Sequence, residues 1–230
     1  LIRNIGALSI GNGLSQLISI IGAFYIPRIL GPDHYGSLST VLAYVALFTL
    51  FSFTGLDRAI SRASARNLAA TQSYIEGFIG IKLLCSLGAV LLCILSLLFV
   101  SYEITTKIYI SIYSFFLLVS PSIGFVNVVY QSSERLKYVA FVNVFQNLTT
   151  VSLSIVLVYL GYGVMALLVV RLIIVASTLI LSTHILSTRF FKLRLNRRLA
   201  FDKTRIYEGL RFSTLQFFNS LSTRVDVAML

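Results

Sequence analysis

Amide and hydroxyl side chains recur in this sequence at the i, i+3, i+4, i+7 spacing that places residues on one face of a helix. The three sets are Asn12, Ser15, Gln16 and Ser19; Asn143, Gln146, Asn147 and Thr150; and Gln216, Asn219, Ser220 and Thr223. The first two sets lie in apolar stretches without charge, and Arg224 directly follows the third set. Inside hydrocarbon such groups must find a hydrogen-bonding partner or line a wet cavity.

These polar stripes have two interpretations. Small and polar residues hold helices together in many membrane bundles, so each stripe can be a packing surface. Three stripes of the same spacing are better explained if several helices face a common aqueous cavity. The first and third stripes also match in register at an offset of 204 residues, which is typical of a transporter built from two six-helix halves.

Four charged residues lie inside apolar segments. Arg171 is about 12 Å deep from the predicted outer end of its span, so it must face a carboxylate, carbonyl groups, water or an anionic ligand. Lys82 lies nearer a cytoplasmic end, where its stem can snorkel to the surface or its amine can enter the cavity. Arg224 can contact an anion or pair with another helix. Asp226, which continues the third stripe, is the best candidate for binding a coupling ion or proton.

Three arginines, Arg58, Arg62 and Arg66, recur every four residues and would stack along one helical face. Arginine forks match the geometry of phosphate oxygens, so these residues are candidates for a cytoplasmic mouth that receives an anion. The alternative is positive-inside anchoring by solvated charges.

The elements that position these residues are membrane-spanning helices. Hydrophobic residues make up 57% of the chain, charged residues 12%, and the mean hydropathy is +0.89, which a soluble fold cannot hide. We predict an all-α polytopic helical bundle with spans of about 20 residues. The spans of this N-terminal transmembrane lobe, residues 1–186, are 5–26, 38–56, 77–100, 108–130, 138–158 and 163–186.

The prediction also covers the segments between and after these spans. The breaker-rich segment Gly31–Gly36 is expected to form the turn before the second span, and Pro121 to kink the fourth. Residues 187–208 form a basic cytoplasmic linker, and 209–230 a truncated first helix of a second lobe. We expect the sequence to be a fragment, with about six further helices beyond Leu230.

The basic residues orient the helices. Fourteen of the 19 Lys and Arg residues fall at the N-terminus or in alternate connections, the last of which is counted through Arg211, and two fall in the other connections. The positive-inside rule therefore predicts a cytoplasmic N-terminus. The same bias explains most of the net charge of +11 without nucleic acid. The linker 187–208 alternates basic and apolar residues, which favours an electrostatic tether to anionic membrane lipids over a docking site for a partner protein.

Three short segments carry a resemblance to a known family. The segment Pro27–Gly36, with its Gly-Pro-x-x-Tyr-Gly turn, follows a first helix that bears a polar stripe. Gly55–Arg62 follows the second span, and Arg224-Val225-Asp226 lies in the seventh. Together they resemble polysaccharide flippases of the Wzx type, in the multidrug/oligosaccharidyl-lipid/polysaccharide exporter superfamily.

The resemblance implies a protein of the bacterial inner membrane that moves an undecaprenyl-pyrophosphate-linked sugar repeat unit, often O-antigen, to the periplasmic leaflet. It further implies alternating access driven by an ion gradient, with H⁺ or Na⁺ and no other cofactor. Expected partners are lipid-linked oligosaccharide and the polysaccharide polymerase and chain-length machinery. The residues expected to line the cavity and bind the anionic head group are Arg171, Arg224, Lys82, Asn12, Gln16, Asn143, Gln146, Asn147 and Asn219.

Three rival functions remain open from sequence. A drug or cation exporter of the same superfamily would share the architecture, but acidic residues should then dominate its cavity. An enzyme of lipid-linked sugars would usually show an Asp-x-Asp motif or a Ser/His/Asp set, and neither is apparent around His34 or His184. A structural membrane scaffold is the third.

Overall fold

The computed structural model describes residues 2–52, 68–132 and 135–189, and within these ranges the chain is helical with no strand. The helices are α1 (Ile2–Leu30), α2 (Pro32–Phe48), α3 (Leu68–Ser96), α4 (Ile104–Tyr113), α5 (Phe116–Ser132), α6 (Leu136–Tyr159) and α7 (Val164–Arg189), with a short 3₁₀ turn at Thr49–Ser52 after α2. The predicted all-α fold class is confirmed.

Four stretches of these helices are long and apolar enough to cross a bilayer. They are Leu8–Leu30, Ile104–Gln131, Leu136–Tyr159 and Val164–Thr188. Large apolar side chains also face outward, with Phe24 74% and Phe99 89% exposed. An apolar surface of this kind is stable in lipid rather than in water, so the chain is a polytopic helical membrane protein.

The connection between α1 and α2 is shorter than predicted. Only Gly31 separates the two helices, and Pro32–Gly36, expected to be a turn, forms the start of α2. Gly31 has φ +81° and ψ 162°, a conformation that is nearly restricted to glycine. Pro32 then opens α2, where its fixed φ suits a helix and its missing N–H leaves no bond unmade. Helix-breaking residues therefore start a helix at this position.

The fourth predicted span is divided, but not at the proline. The break between α4 and α5 falls at Ser114 and Phe115, one turn or more before Pro121, which lies inside α5. There the N–H groups of Leu117 and Leu118 donate to the carbonyls of Ser114 and Phe115, three residues back. A proline ring clashes with the carbonyl four residues earlier, which here is that of Leu117, and the 3₁₀ turn lies just before this carbonyl.

The core of the described bundle joins α2, α3, α4 and α7. Val41, Cys93, Ile110 and Leu168, one from each of these helices, are fully buried and belong to one apolar cluster. In lipid the alternative environment of such side chains is hydrocarbon, so the cluster stabilises the bundle by van der Waals packing. This cluster fixes α7 against α2 and α4.

Side-chain hydrogen bonds add two further connections between helices. The hydroxyls of Tyr44 and Ser96 lie 2.6 Å apart between α2 and α3. The Tyr130 hydroxyl donates to the backbone carbonyl of Ser182, which links α5 to α7. Helix α1 lies to one side of this core, with α6 as its main neighbour.

Candidate functional site

Helices α1 and α6 are parallel and meet at two glycines. A methyl group on Gly11 would lie 2.6 Å from the Cβ and 3.1 Å from the Cα of Ala140, and one on Gly22 would lie 3.0 Å from a methyl of Val151. Both pairs are 129 residues apart in the chain (11 to 140, 22 to 151), so the two helices run in the same direction and in one register. Glycine permits this close approach because it has no side chain.

The two polar stripes face each other between these glycine contacts. They line an open cavity of about 680 Å³, which we call the amide chamber. Its lining residues are all neutral and polar: Asn12, Ser15, Gln16, Ser19, Asn143, Gln146 and Asn147. The stripes were predicted separately on two helices, and the fold brings them together.

The amides of the chamber do not bond the two helices to each other. Within the described part of the chain, none of the five Asn and Gln side chains hydrogen-bonds to another residue. Ser15 is only 6% exposed, and its hydroxyl also has no partner, while the Ser19 hydroxyl donates to the Ser15 carbonyl. Stripes that acted as packing surfaces would show hydrogen bonds across the interface, so this arrangement favours a cavity lining.

A second cavity, of about 250 Å³, continues from the amide chamber and is called here the arginine pocket. It shares Ser19 and Asn147 with the chamber and is completed by Arg171 on α7 and by Tyr35 and Ser39 on α2. The two cavities therefore form one groove along α1 and α6, which is polar in the amide chamber and partly apolar in the arginine pocket, where Ile26, Leu38 and Leu42 also line the wall.

Arg171 is partly buried in the pocket wall. Its guanidinium interacts with the hydroxyl of buried Tyr113, and its Nε has no hydrogen-bond partner. The two carboxylates whose side chains the structure describes, Asp33 and Glu103, are exposed and do not pair with it. A cation in an apolar bundle is costly without a counter-charge, so Arg171 can accept an anion on the open side of the pocket.

Lys82 lies elsewhere. It is on α3, is 3% exposed and interacts with other groups of the protein, and it is not among the residues that line the amide chamber or the arginine pocket. The sequence gives the depth of Lys82 along its helix, but the direction in which its side chain points depends on how α3 packs.

Several predicted site residues lie outside the described residues. They are the arginines of the proposed cytoplasmic mouth, Arg58, Arg62 and Arg66, and the seventh-span residues Asn219, Arg224 and Asp226. The basic linker also lies outside them from residue 190 onward.

Sequence reasoning missed two features of the groove. The α2 residues Tyr35 and Ser39 were not considered, because Tyr35 was assigned to a turn. The glycines that bring α1 against α6 were also overlooked. Gly11 and Gly22 are 11 residues apart, close to three full helical turns, which places both on one face and is the signal that predicts a close helix contact.

The family of the chain is identified by a sequence match that covers its whole length. The sequence model of the family described as "polysaccharide biosynthesis protein" matches residues 1–230. No curated protein and no solved structure matched the chain. The chain belongs to the polysaccharide biosynthesis protein family, as the resemblance predicted, and with its apolar helices it is a polysaccharide-related membrane transporter.

Proposed function

We propose that this protein is a flippase that translocates undecaprenyl-pyrophosphate-linked oligosaccharide repeat units, of O-antigen or another surface polysaccharide, across the bacterial inner membrane by alternating access. The observation that carries the proposal is the polar groove between α1 and α6, which ends at Arg171 inside an apolar bundle. Membership of the polysaccharide biosynthesis protein family supports the choice of cargo.

The cargo explains why such a groove is needed. A sugar chain and a diphosphate lose their hydration if they enter hydrocarbon, which costs several kcal/mol or more for each uncompensated polar group. The groove offers amides, hydroxyls and one guanidinium instead. A guanidinium fork binds phosphate oxygens with two parallel hydrogen bonds, so we assign Arg171 to the anionic head group.

The remaining predicted residues complete the proposal. Arg58, Arg62 and Arg66 gather the head group at the cytoplasmic mouth, and Asp226 binds the coupling ion, H⁺ or Na⁺. Arg224 and Asn219 contribute to the cavity that binds the anionic head group. The N-terminus is cytoplasmic, and the protein changes the position of its cargo without covalent chemistry. Its product is then available to the polysaccharide polymerase and chain-length machinery.

A drug or cation exporter is disfavoured by the charge of the groove. Such a cavity needs carboxylates to stabilise a cationic ligand, and no acidic side chain lines either cavity in the part of the chain that the structure describes. The charge that is present is positive.

A flipping assay tests the proposal. The protein expressed from its intact gene is reconstituted in vesicles with a fluorescent lipid-linked repeat unit, and the unit that reaches the other leaflet is quantified by lectin capture. We expect transfer by the wild-type protein and a loss of about tenfold or more in rate for Arg171→Ala, equivalent to about 1.4 kcal/mol. Arg28→Ala, which removes an exposed arginine from the end of α1, should change the rate by less than about twofold, the effect of a solvated charge. Absence of wild-type transfer overturns the proposal.

A further inference from the structure

The two cavities of the groove differ in charge. All seven residues that line the amide chamber are neutral, whereas the adjoining arginine pocket contains Arg171. An anion in the amide chamber would meet no cation among these residues, and a cation would meet no carboxylate. Because neither sign of charge is matched by these residues, their chemistry favours a neutral ligand.

The chemistry of the lining narrows the ligand further. Each amide side chain offers donors and acceptors, and each serine hydroxyl offers both in one group. A sugar presents a dense array of hydroxyls, which also donate and accept. Five amides line one cavity, together with the Ser19 hydroxyl, which is left as an acceptor because its O–H donates to the Ser15 carbonyl; this set is complementary to such a ligand.

Ser15 provides an independent observation. Its side chain is 94% buried (6% exposed), its hydroxyl has no hydrogen-bond partner, and it lines the chamber. A buried polar group without a partner costs free energy. The hydroxyl itself is shielded by its neighbours, so a hydroxyl-bearing ligand would remove that cost only where a small shift of the chamber wall exposes it.

We propose that the amide chamber is a saccharide subsite that binds neutral, hydroxyl-rich sugar residues of the cargo, while the arginine pocket binds its phosphate-bearing end. This inference rests on the proposed function and divides the same cargo between two adjoining sites. The chamber volume of about 680 Å³ lies within the range of about 300–1,000 Å³ found for small-molecule sites. Ser19 and Asn147 line both cavities, so one molecule can occupy both.

Binding measurements with two half-ligands test the division. The intact gene product in nanodiscs is titrated with the oligosaccharide released by mild acid from the host's lipid-linked repeat unit, and separately with undecaprenyl diphosphate that carries no sugar. The combined variant Asn143→Ala/Gln146→Ala should weaken oligosaccharide binding about tenfold, the loss expected from one or two hydrogen bonds. The same variant should leave the affinity for undecaprenyl diphosphate within about twofold of the wild-type value, because distant sites couple weakly.

Matched variants and salt complete the test. Arg171→Ala should show the reverse pattern, and Gln131→Ala, which removes an exposed amide outside the groove, should change neither affinity. Oligosaccharide binding should also be insensitive to NaCl, whereas diphosphate binding should weaken as salt screens the charge of Arg171. If the double variant fails to fold, Ser15→Ala replaces it, with an expected loss of about threefold.

The outcomes separate this inference from the proposed function. If the amide variants weaken the binding of both half-ligands equally, or of neither, the saccharide subsite is overturned. Oligosaccharide binding that depends on salt also overturns it. A wild-type protein that moves the lipid-linked unit but does not bind the free oligosaccharide overturns the subsite alone. A wild-type protein that does not move the unit overturns the proposed function.

Discussion

Gly11 of α1 lies so close to Ala140 of α6 that a single added methyl group would stand 2.6 Å from the Ala140 Cβ. The contact is at one end of the amide chamber, and the Gly22 contact with Val151 is at the other. The width of the chamber therefore depends on two positions without a side chain.

The first prediction concerns these contacts. Gly11→Ala should lower the free energy of unfolding by about 1–3 kcal/mol, the usual cost of overpacking, because backbone as well as side-chain atoms of Ala140 must move. Gly13→Ala is the matched control: it has nothing within 4 Å and should gain about 0.5–1 kcal/mol from helix propensity. Thermal unfolding in detergent measures both. Ala140→Gly should partly rescue Gly11→Ala, and an absence of rescue would show that the helices do not meet there.

A second prediction separates stability from function at Arg171. Arg171→Met removes a partly buried cation whose Nε has no partner and keeps most of the side-chain length. Met leaves the buried Tyr113 hydroxyl without its guanidinium partner, at a cost of about 1–3 kcal/mol, but it also removes a cation whose burial among apolar helices costs about 3 kcal/mol. Tm should therefore change little while the flipping rate falls. A fall in Tm together with the rate would indicate a structural ion pair instead.

The chamber should be reachable from water. Gln16→Cys places a thiol at an exposed position of the chamber wall, and Leu148→Cys places one at an exposed position of α6 outside the chamber. In a background without Cys85 and Cys93, a hydrophilic maleimide should label the first at least about tenfold faster, since the thiolate must be solvated to react. Equal rates at the two cysteines would mean that the chamber is closed to water.

The fourth prediction tests the connection between α1 and α2. Gly31 has φ +81° and ψ 162° with no atom within 4 Å of an added methyl group, so Gly31→Ala meets backbone strain alone. Such strain costs about 1–3 kcal/mol, and Tm should fall accordingly. Gly36→Ala, helical and open, serves as the control and should be neutral or stabilising. If both variants unfold at the same temperature, the connection does not have this geometry.

Much of the fold was predictable because membrane helices are decided locally. In lipid each backbone polar group must be satisfied within its own helix, so long uncharged runs predict helices without knowledge of their neighbours. The predicted span 138–158 and helix α6 (Leu136–Tyr159) differ by a residue or two at each end. The exceptions are two places where residue type alone predicts the wrong local structure. Pro32 starts a helix, and the break near Pro121 lies upstream at Ser114.

The amino-acid sequence by itself determined which side chains share a face, because helical spacing alone places Asn12 beside Gln16 and Asn143 beside Asn147. Only the tertiary structure decided that these two faces meet, that Arg171 borders the same groove and that Lys82 does not. The physical reason is that the rotation and separation of packed helices depend on contacts between distant residues. Here Gly11 and Gly22, which have no side chain, pack against Ala140 and Val151. These contacts determine the rotation and separation of α1 and α6.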